Sequence, residues 1–366
     1  MVFVSYFTNL VGTLFFIVIA ILGIGFLIGF HEFGHFIFCK IFKIKTPSFS
    51  IGMGPRIFKK KFGDTEFALS AIPLGGYVEI AGTEDDQEPI KDKQYSFAQK
   101  PYYQKMLVIA GGIIFNILFA YVALSALYFT GMPKSPLIYP LHATTKIKSI
   151  EKESPAAQSN LQEGDIILTI DKVNVQNKLL ELMMFLKNNA NQSVTATIKR
   201  NKEIIPLEIK IGERKIQNQI FGYLGIDFDI EIPQYNFFES IKMGIHATHT
   251  IIKQVFSIFT SMFRQRTIEN LGGPLMVISQ TIKGAQQGPK ILFLLLAFIS
   301  INLAVLNVIP IPIMDGGQAL FYTIEAIIRR PLPEQVKIYI HYACWLAVMA
   351  LAVFLSIKDI MRMFMS

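Results

Sequence analysis

Apolar and polar positions along this chain fall into long blocks rather than the short periods of a soluble domain. Four stretches, roughly 10–36, 106–130, 290–309 and 338–357, are apolar over about the 20 residues a helix needs to cross a bilayer. Between the first two, residues 46–82 mix β-formers with turn signals: Pro47, Gly52, Gly54-Pro55 and Gly63-Asp64. Residues 143–229 are hydrophilic, with strand-like alternation at Val194–Ile198 and Ile204–Ile209. Residues 235–266 have the spacing of an amphipathic helix, too polar for a fifth span. The expected fold is therefore a polytopic α-helical membrane protein of about four transmembrane helices. It carries a membrane-associated β hairpin or sheet on the cytoplasmic side and an inserted α+β domain. The predicted segments are a first helix over 1–36, a β region over 37–105, a second helix over 106–130 and a domain over 143–229. Interfacial helices over 235–289, a third span over 290–317 and a fourth over 338–357 follow.

Composition agrees: 52% of the 366 residues are hydrophobic, 17% are charged, and the mean hydropathy is +0.42. The first run is longer than a signal peptide and has no basic segment before it. Residues 37–105 carry eleven lysines and arginines, residues 310–337 carry Arg329, Arg330 and Lys337, and the N-terminus carries none. The positive-inside rule then puts both termini and the 143–229 domain outside and the two basic loops in the cytoplasm. The net charge of +8 sits beside the spans, where anionic lipid and topology account for it without nucleic acid. Cys39 and Cys344 have the marks of neither a disulfide nor a metal pair.

Chemistry enters at His31-Glu32-Phe33-Gly34-His35. Residues 1–30 contain no charged side chain, so this is the first ionisable cluster, near the cytoplasmic end of the first span. On a helix the i, i+4 spacing stacks His31 and His35 on one face, where they can share a metal, with Glu32 beside them as general base. A catalytic zinc takes three protein ligands and leaves one position open, so a third ligand is needed from elsewhere. Asp315 is the candidate. It closes the third span, where Pro310 and Pro312 stop the helix and Gly316-Gly317 permit a sharp turn, at the depth already assigned to the histidines. His246 and His249 lack an accompanying carboxylate or thiol cluster and read as surface histidines.

His-Glu-Phe-Gly-His in a first span, with Asn307-x-x-Pro310-x-Pro312-x-x-Asp315-Gly316-Gly317 closing a later one, resembles the site-2 protease family of intramembrane zinc metalloproteases, peptidase family M50. Its bacterial regulator-of-sigma-E protease branch is the nearest in pattern. The resemblance also takes in Ser50–Pro55, Ile72–Val78, Gly111-Gly112 with Asn116, and Asn270–Pro274. Met314 stands where leucine is usual. The resemblance implies one Zn2+ held by His31, His35 and Asp315, with Glu32 as base and Asn307 and Pro312 holding substrate. It further implies single-span membrane substrates in the bilayer, such as anti-sigma factors and leftover signal peptides, trimmed beforehand by a site-1-type protease at the bacterial inner membrane. Ser154-Pro155-Ala156-Ala157 and Leu161–Ile170 resemble a PDZ domain, with Asn160 where glycine is common. Gly222-Tyr223-Leu224-Gly225 would be its peptide-binding nest, although the domain can equally act as a steric filter. The β region can add a strand to an unwound substrate or lie on the membrane as a basic loop. Readings from other classes are a transporter using Asn116, Asn302, Asn307 and Asp315, and a non-catalytic PDZ scaffold.

Overall fold

An apolar run in a helix satisfies all its backbone groups internally, which is why runs of this length fold as single long helices. The computed structural model describes residues 2–83, 93–176, 178–216, 219–230, 232–265 and 272–365. Helix α1 spans Val2–Ile41, longer at its C-terminal end than the 1–36 expected from hydropathy. Strands β1 (Ser48–Phe62) and β2 (Thr65–Val78) follow, then α2 (Tyr102–Thr130). The hairpin turn joins Phe62 to Thr65, and Ser48–Ile51 lies between two stretches of β2, Glu66–Leu69 and Gly76–Val78. The β pair is fixed to α1 by a Phe36, Phe49 and Phe67 cluster and by Lys40 Nζ, which donates to Thr65 Oγ1 at 2.9 Å.

Residues Met132–Gln234 form a unit with its own core. It contains α3 (Tyr139–His142), β3 (Ala143–Ile150), α4 (Pro155–Gln158), β4 (Ile166–Ile170), β5 (Val173–Asn174) and α5 (Leu179–Asn188). The strands β6 (Ser193–Arg200), β7 (Glu203–Lys210), β8 (Gly212–Ile216), β9 (Gln219–Tyr223) and β10 (Ile226–Ile230) complete it. The sheet runs β10-β3-β4-β6-β7, and β8 pairs with β9. Leu179, Leu182 and Leu186 of α5 recur at helical spacing and are buried against it. Ser154 caps α4, accepting from the Ala157 amide ahead of Pro155 at the first helical position. Asp165 is buried and accepts from Arg200 Nε and Nη2 and from the Gln162 amide, which gives its Gly-Asp motif a structural reason.

The rest of the chain returns to the helical unit made of Met1–Gly131 and Tyr235–Ser366. The 235–289 segment is two helices, α6 (Phe237–Gln265) and α7 (Pro274–Gln287); residues 266–271, and with them Asn270 and Leu271 of the motif quoted above, lie outside the described residues. Helix α6 packs along α2: Gly244 sits where a Cβ would meet Ser125, and Tyr121 Oη lies 2.8 Å from His249 Nε2. His246 and His249 are exposed, as expected, and His249 also meets Tyr121 of the neighbouring helix. The third span, α8 (Pro289–Val308), ends before residue 317, and the 310–337 loop contains α9 (Asp315–Ile328), which Asp315 opens. Helix α10 runs Glu334–Met365, past both ends of the 338–357 stretch. Among the described residues, four helices are long and apolar enough to cross a membrane: Gly12–Ile41, Tyr102–Thr130, Pro289–Val308 and Glu334–Arg362.

Candidate metal centre

The site begins with the approach of α1 to α2. A Cβ on Gly34 would lie 2.2 Å from the Gly111 carbonyl oxygen, and one on Gly112 would lie 2.3 Å from Cε1 of His31. Only glycine lets the two backbones come this close, and the approach presses both histidine rings against α2. His35 Nδ1 donates to the Val108 carbonyl at 2.8 Å. Because a carbonyl only accepts, the proton of His35 is on Nδ1 and the lone pair of Nε2 is free. His31 Nδ1 lies 3.0 Å from the side-chain amide of Asn116 on α2.

Asp315 arrives from the other half of the chain. Pro310 and Pro312 carry no amide hydrogen and end α8, and the Ile311 and Met314 amides donate back to Ile309 and Ile311 in a tight turn. Gly316 and Gly317 fold under it: a Cβ on either would lie 2.4 and 2.2 Å from the carbonyl oxygens of Val308 and Ile311. The turn delivers Asp315 to the first turn of α9, where a carboxylate is favoured by the helix dipole.

His31 Nε2 lies 3.3 Å from Asp315 Oδ2, His35 Nε2 3.5 Å from Asp315 Oδ1, and the two Nε2 atoms are 3.2 Å apart. All three ligand atoms fit within 4.8 Å of one another. A tetrahedral ion with bonds of 2.0–2.1 Å has ligand-to-ligand edges of about 3.3 Å, which these separations match. Asp315 Oδ2 is also buried without a hydrogen-bond donor. An uncompensated carboxylate oxygen between two imidazole lone pairs is a poor arrangement for three side chains alone and a good one around a divalent cation. The donor set fits the metal.

A cavity of about 700 Å3 opens on His31, Glu32, His35 and Asp315 and continues between Val78, Phe321 and Trp345. The Val78 amide donates to the Glu32 carboxylate. Lys337, which also lines the cavity, bonds Glu325 Oε1 through Nζ at 2.6 Å, and the Leu332 amide donates to the same oxygen. Burial alone would raise the Glu325 carboxyl, but Lys337 and that amide hold it below the ordinary carboxylate range.

The other residues singled out from the sequence fall in three places. Asn307 lies at the site, its Nδ2 3.5 Å from His31 Nε2. Pro312 shapes the turn before Asp315 and does not line the cavity. Gly222, Tyr223, Leu224 and Gly225 line a separate groove of about 620 Å3 in the α+β unit, facing Met183 and Leu186 of α5. Sequence reasoning gave Val108 no role, and placed Val78 and Asn116 only within matched motifs, Asn116 also on a transporter's ion path, without linking either to the metal site. Only Asn116, a polar residue in an apolar run, left a signal that could have found it.

The family model "Peptidase family M50" matches residues 19–351. The chain belongs to peptidase family M50. It is a membrane protein whose chemistry is hydrolysis of peptide bonds. A protein of Clostridium perfringens described as a zinc metalloprotease is 30% identical over 94% of this chain and 98% of its own length. One of Nostoc sp., described in the same words, is 29% identical over 93% and 94%. Among solved structures, the PDZ domain of an SdrC-like protein from Listeria monocytogenes covers 24% of this chain and 86% of its own, with 19% identity and a TM-score of 0.21.

Proposed function

We propose that this M50 peptidase is a zinc endopeptidase that cuts single-span membrane proteins within the bilayer. The observation that carries the reading is the three ligand atoms at tetrahedral-edge separations, in the same layer as Glu32, between helices long and apolar enough to span a membrane. His31, His35 and Asp315 hold the metal, which is zinc, as in the descriptions of the relatives. Zinc, when bound, brings the pKa of a water to about 7 and polarises a carbonyl. Glu32 takes the proton from the attacking water and returns it to the leaving amine nitrogen. The Val78 amide holds the Glu32 carboxylate in place for both transfers. Asn307 stands close enough to the histidines to contact substrate, and Pro312 supports the turn that carries Asp315.

A substrate helix hides its carbonyls in its own hydrogen bonds and has to unwind before it is cut. Among the described residues, the Gly76–Val78 end of β2 is paired on one side only, with Phe49–Ile51, and its other side faces Glu32. An unwound segment pairing with that edge by strand addition would place a carbonyl beside Glu32. This supports the strand-addition reading over a basic loop resting on the membrane.

The basic 37–105 and 310–337 segments face the cytoplasm of a bacterial inner membrane, with the termini and residues 143–229 outside. The inserted unit, read as a PDZ domain from its Ser-Pro-Ala-Ala and Gly-Asp motifs, screens substrates by size, so an upstream protease trims them first. Anti-sigma-factor-like proteins and leftover signal peptides have the required single span.

The test pairs metal analysis with cleavage of a single-span substrate by purified protein. Wild type should hold one zinc and cut in a chelator-sensitive way, and Glu32→Gln should keep the zinc and lose about 10²–10⁴-fold or more in rate. Neither zinc nor cleavage in wild type would favour a transporter or scaffold; a fully active Glu32→Gln would remove Glu32 from the mechanism.

A further inference from the structure

Asn116 is fully buried in the middle of α2, and its side-chain amide is the group against His31 Nδ1, at 3.0 Å. Its Oδ1 is buried and meets no donor as the amide is placed. The backbone around it is spoken for: its carbonyl accepts from Ser300 Oγ at 2.9 Å, tying α2 to α8. A buried amide in an apolar span is costly unless its hydrogen bonds are made, so its oxygen should have a donor.

His31 has two neutral tautomers, and they differ in what they do to the centre. With the proton on Nε2, His31 can donate to His35 Nε2, only 3.2 Å away. The two ligand atoms would then satisfy each other, and a proton would occupy the place where a cation belongs. With the proton on Nδ1, both Nε2 lone pairs converge with Asp315 on one point. The ring lies against Gly112, in space that a Cβ there would fill, and this keeps Nδ1 next to the Asn116 amide. Nδ1 must therefore donate to whatever faces it, and the amide has the acceptor required. The two ends of an amide are alike in shape, so chemistry decides between them. Turned so that Oδ1 faces His31, Asn116 gains the donor its oxygen lacks and fixes the metal-binding tautomer.

We infer that Asn116 is a positioning residue that accepts a hydrogen bond from His31 Nδ1–H and so holds Nε2 open for the metal, as the Val108 carbonyl does for His35. The inference rests on the zinc reading above. In metal sites, partners of this kind typically change affinity by 10–100-fold.

The experiment measures Zn2+ affinity of the full-length detergent-solubilised protein against a chromophoric chelator, for wild type, Asn116→Leu and Asn116→Asp. Leucine has a similar volume and no acceptor, so its affinity should fall about 10–100-fold. Aspartate keeps the acceptor and loses the donor, so it should bind zinc within about threefold of wild type or more tightly. A purely structural role would move the melting temperature of the metal-free variants and leave their zinc affinity alone. Zinc affinity of Asn116→Leu within threefold of wild type, or an aspartate variant as weak as the leucine one, overturns the inference. Should the leucine variant fail to fold, ¹⁵N-histidine spectra of metal-free wild type decide: a proton on His31 Nδ1 supports the assignment, and one on Nε2 sinks it. Wild type that takes up no zinc would instead remove the proposed function itself.

Discussion

Gly34→Ala places one methyl group where the structure leaves no room for it. Its Cβ would sit 2.2 Å from the Gly111 carbonyl oxygen, 2.6 Å from that carbonyl carbon and 3.0 Å from the Gly112 nitrogen. All three are backbone atoms of α2, so no side chain can rotate away, and restoring ordinary contact at 3.4 Å takes a separation of about 1.2 Å. Moved by that amount, the His35 Nδ1 to Val108 bond of 2.8 Å would stretch to about 4 Å, beyond hydrogen-bond range. A ligand displaced by about 1 Å also exceeds the ~0.2 Å tolerance of a metal site. Helix propensity works the other way, favouring alanine over glycine by about 1 kcal/mol. Overpacking costs about 1–3 kcal/mol, so the net loss of stability is about 0–2 kcal/mol while the metal loses its geometry. The expected outcome is zinc affinity at least about tenfold weaker, with the melting temperature of the metal-free protein lowered by no more than several degrees. Gly12→Ala is the control, because nothing lies within 4 Å of its Cβ. If Gly34→Ala retains wild-type zinc affinity, the close approach of α1 and α2 is not what holds His35, and the packing argument fails.

Asp315→Asn should lose metal affinity together with activity, since a neutral amide is a poorer zinc ligand than a carboxylate; a full equivalent of zinc at unchanged affinity would put the third ligand elsewhere. Glu325 is held below its ordinary value of 4.5, so its contribution to stability is present above that pH and is lost as pH falls through the lower folded value. The gap in melting temperature between wild type and Glu325→Gln should therefore be steady near neutrality and shrink below about pH 4.5, and a gap constant down to pH 3 would refute the pairing with Lys337. Replacing residues 132–234 by a short flexible linker should leave cleavage of pre-trimmed substrates intact and admit those with bulky outer domains. The linker can be short because Tyr128 and Tyr235 rings lie 5.5 Å apart and Phe129 and Phe237 rings 5.9 Å apart, so the two cut ends are neighbours. Loss of all cleavage in a well-folded deletion would mean that the unit activates rather than filters.

The parts of the site legible in the sequence are those where one local rule suffices. The spacing of His31 and His35 fixes a shared face because a helix repeats every 3.6 residues, and the Pro-x-Pro before Asp315 ends a helix whatever surrounds it. Those two rules brought Asp315 to the histidines across 280 positions of chain from His35 and 284 from His31. Hydropathy was a weaker guide, because it averages over a window. It missed α9 within a basic loop and the polar first turn of α10 at Glu334. It gave no sign that α6 would pack along α2, where Gly244 leaves space for Ser125.

Asn116 shows where sequence reasoning stops and why. It stands out as a polar residue in an apolar run, and an ion path in a transporter or a support for a metal ligand would each explain it. What separates them is distance: 3.0 Å to His31 Nδ1, an oxygen without a donor, and a ring lying against Gly112. A conduction path needs a chain of polar groups reaching water on both sides, whereas a support needs only one contact with the correct atom. The contact is with the nitrogen that does not face the metal, so the amide acts on the centre through the tautomer of His31. That is a property of two atoms on different helices, set by a close approach that glycines permit, and no window of sequence contains it.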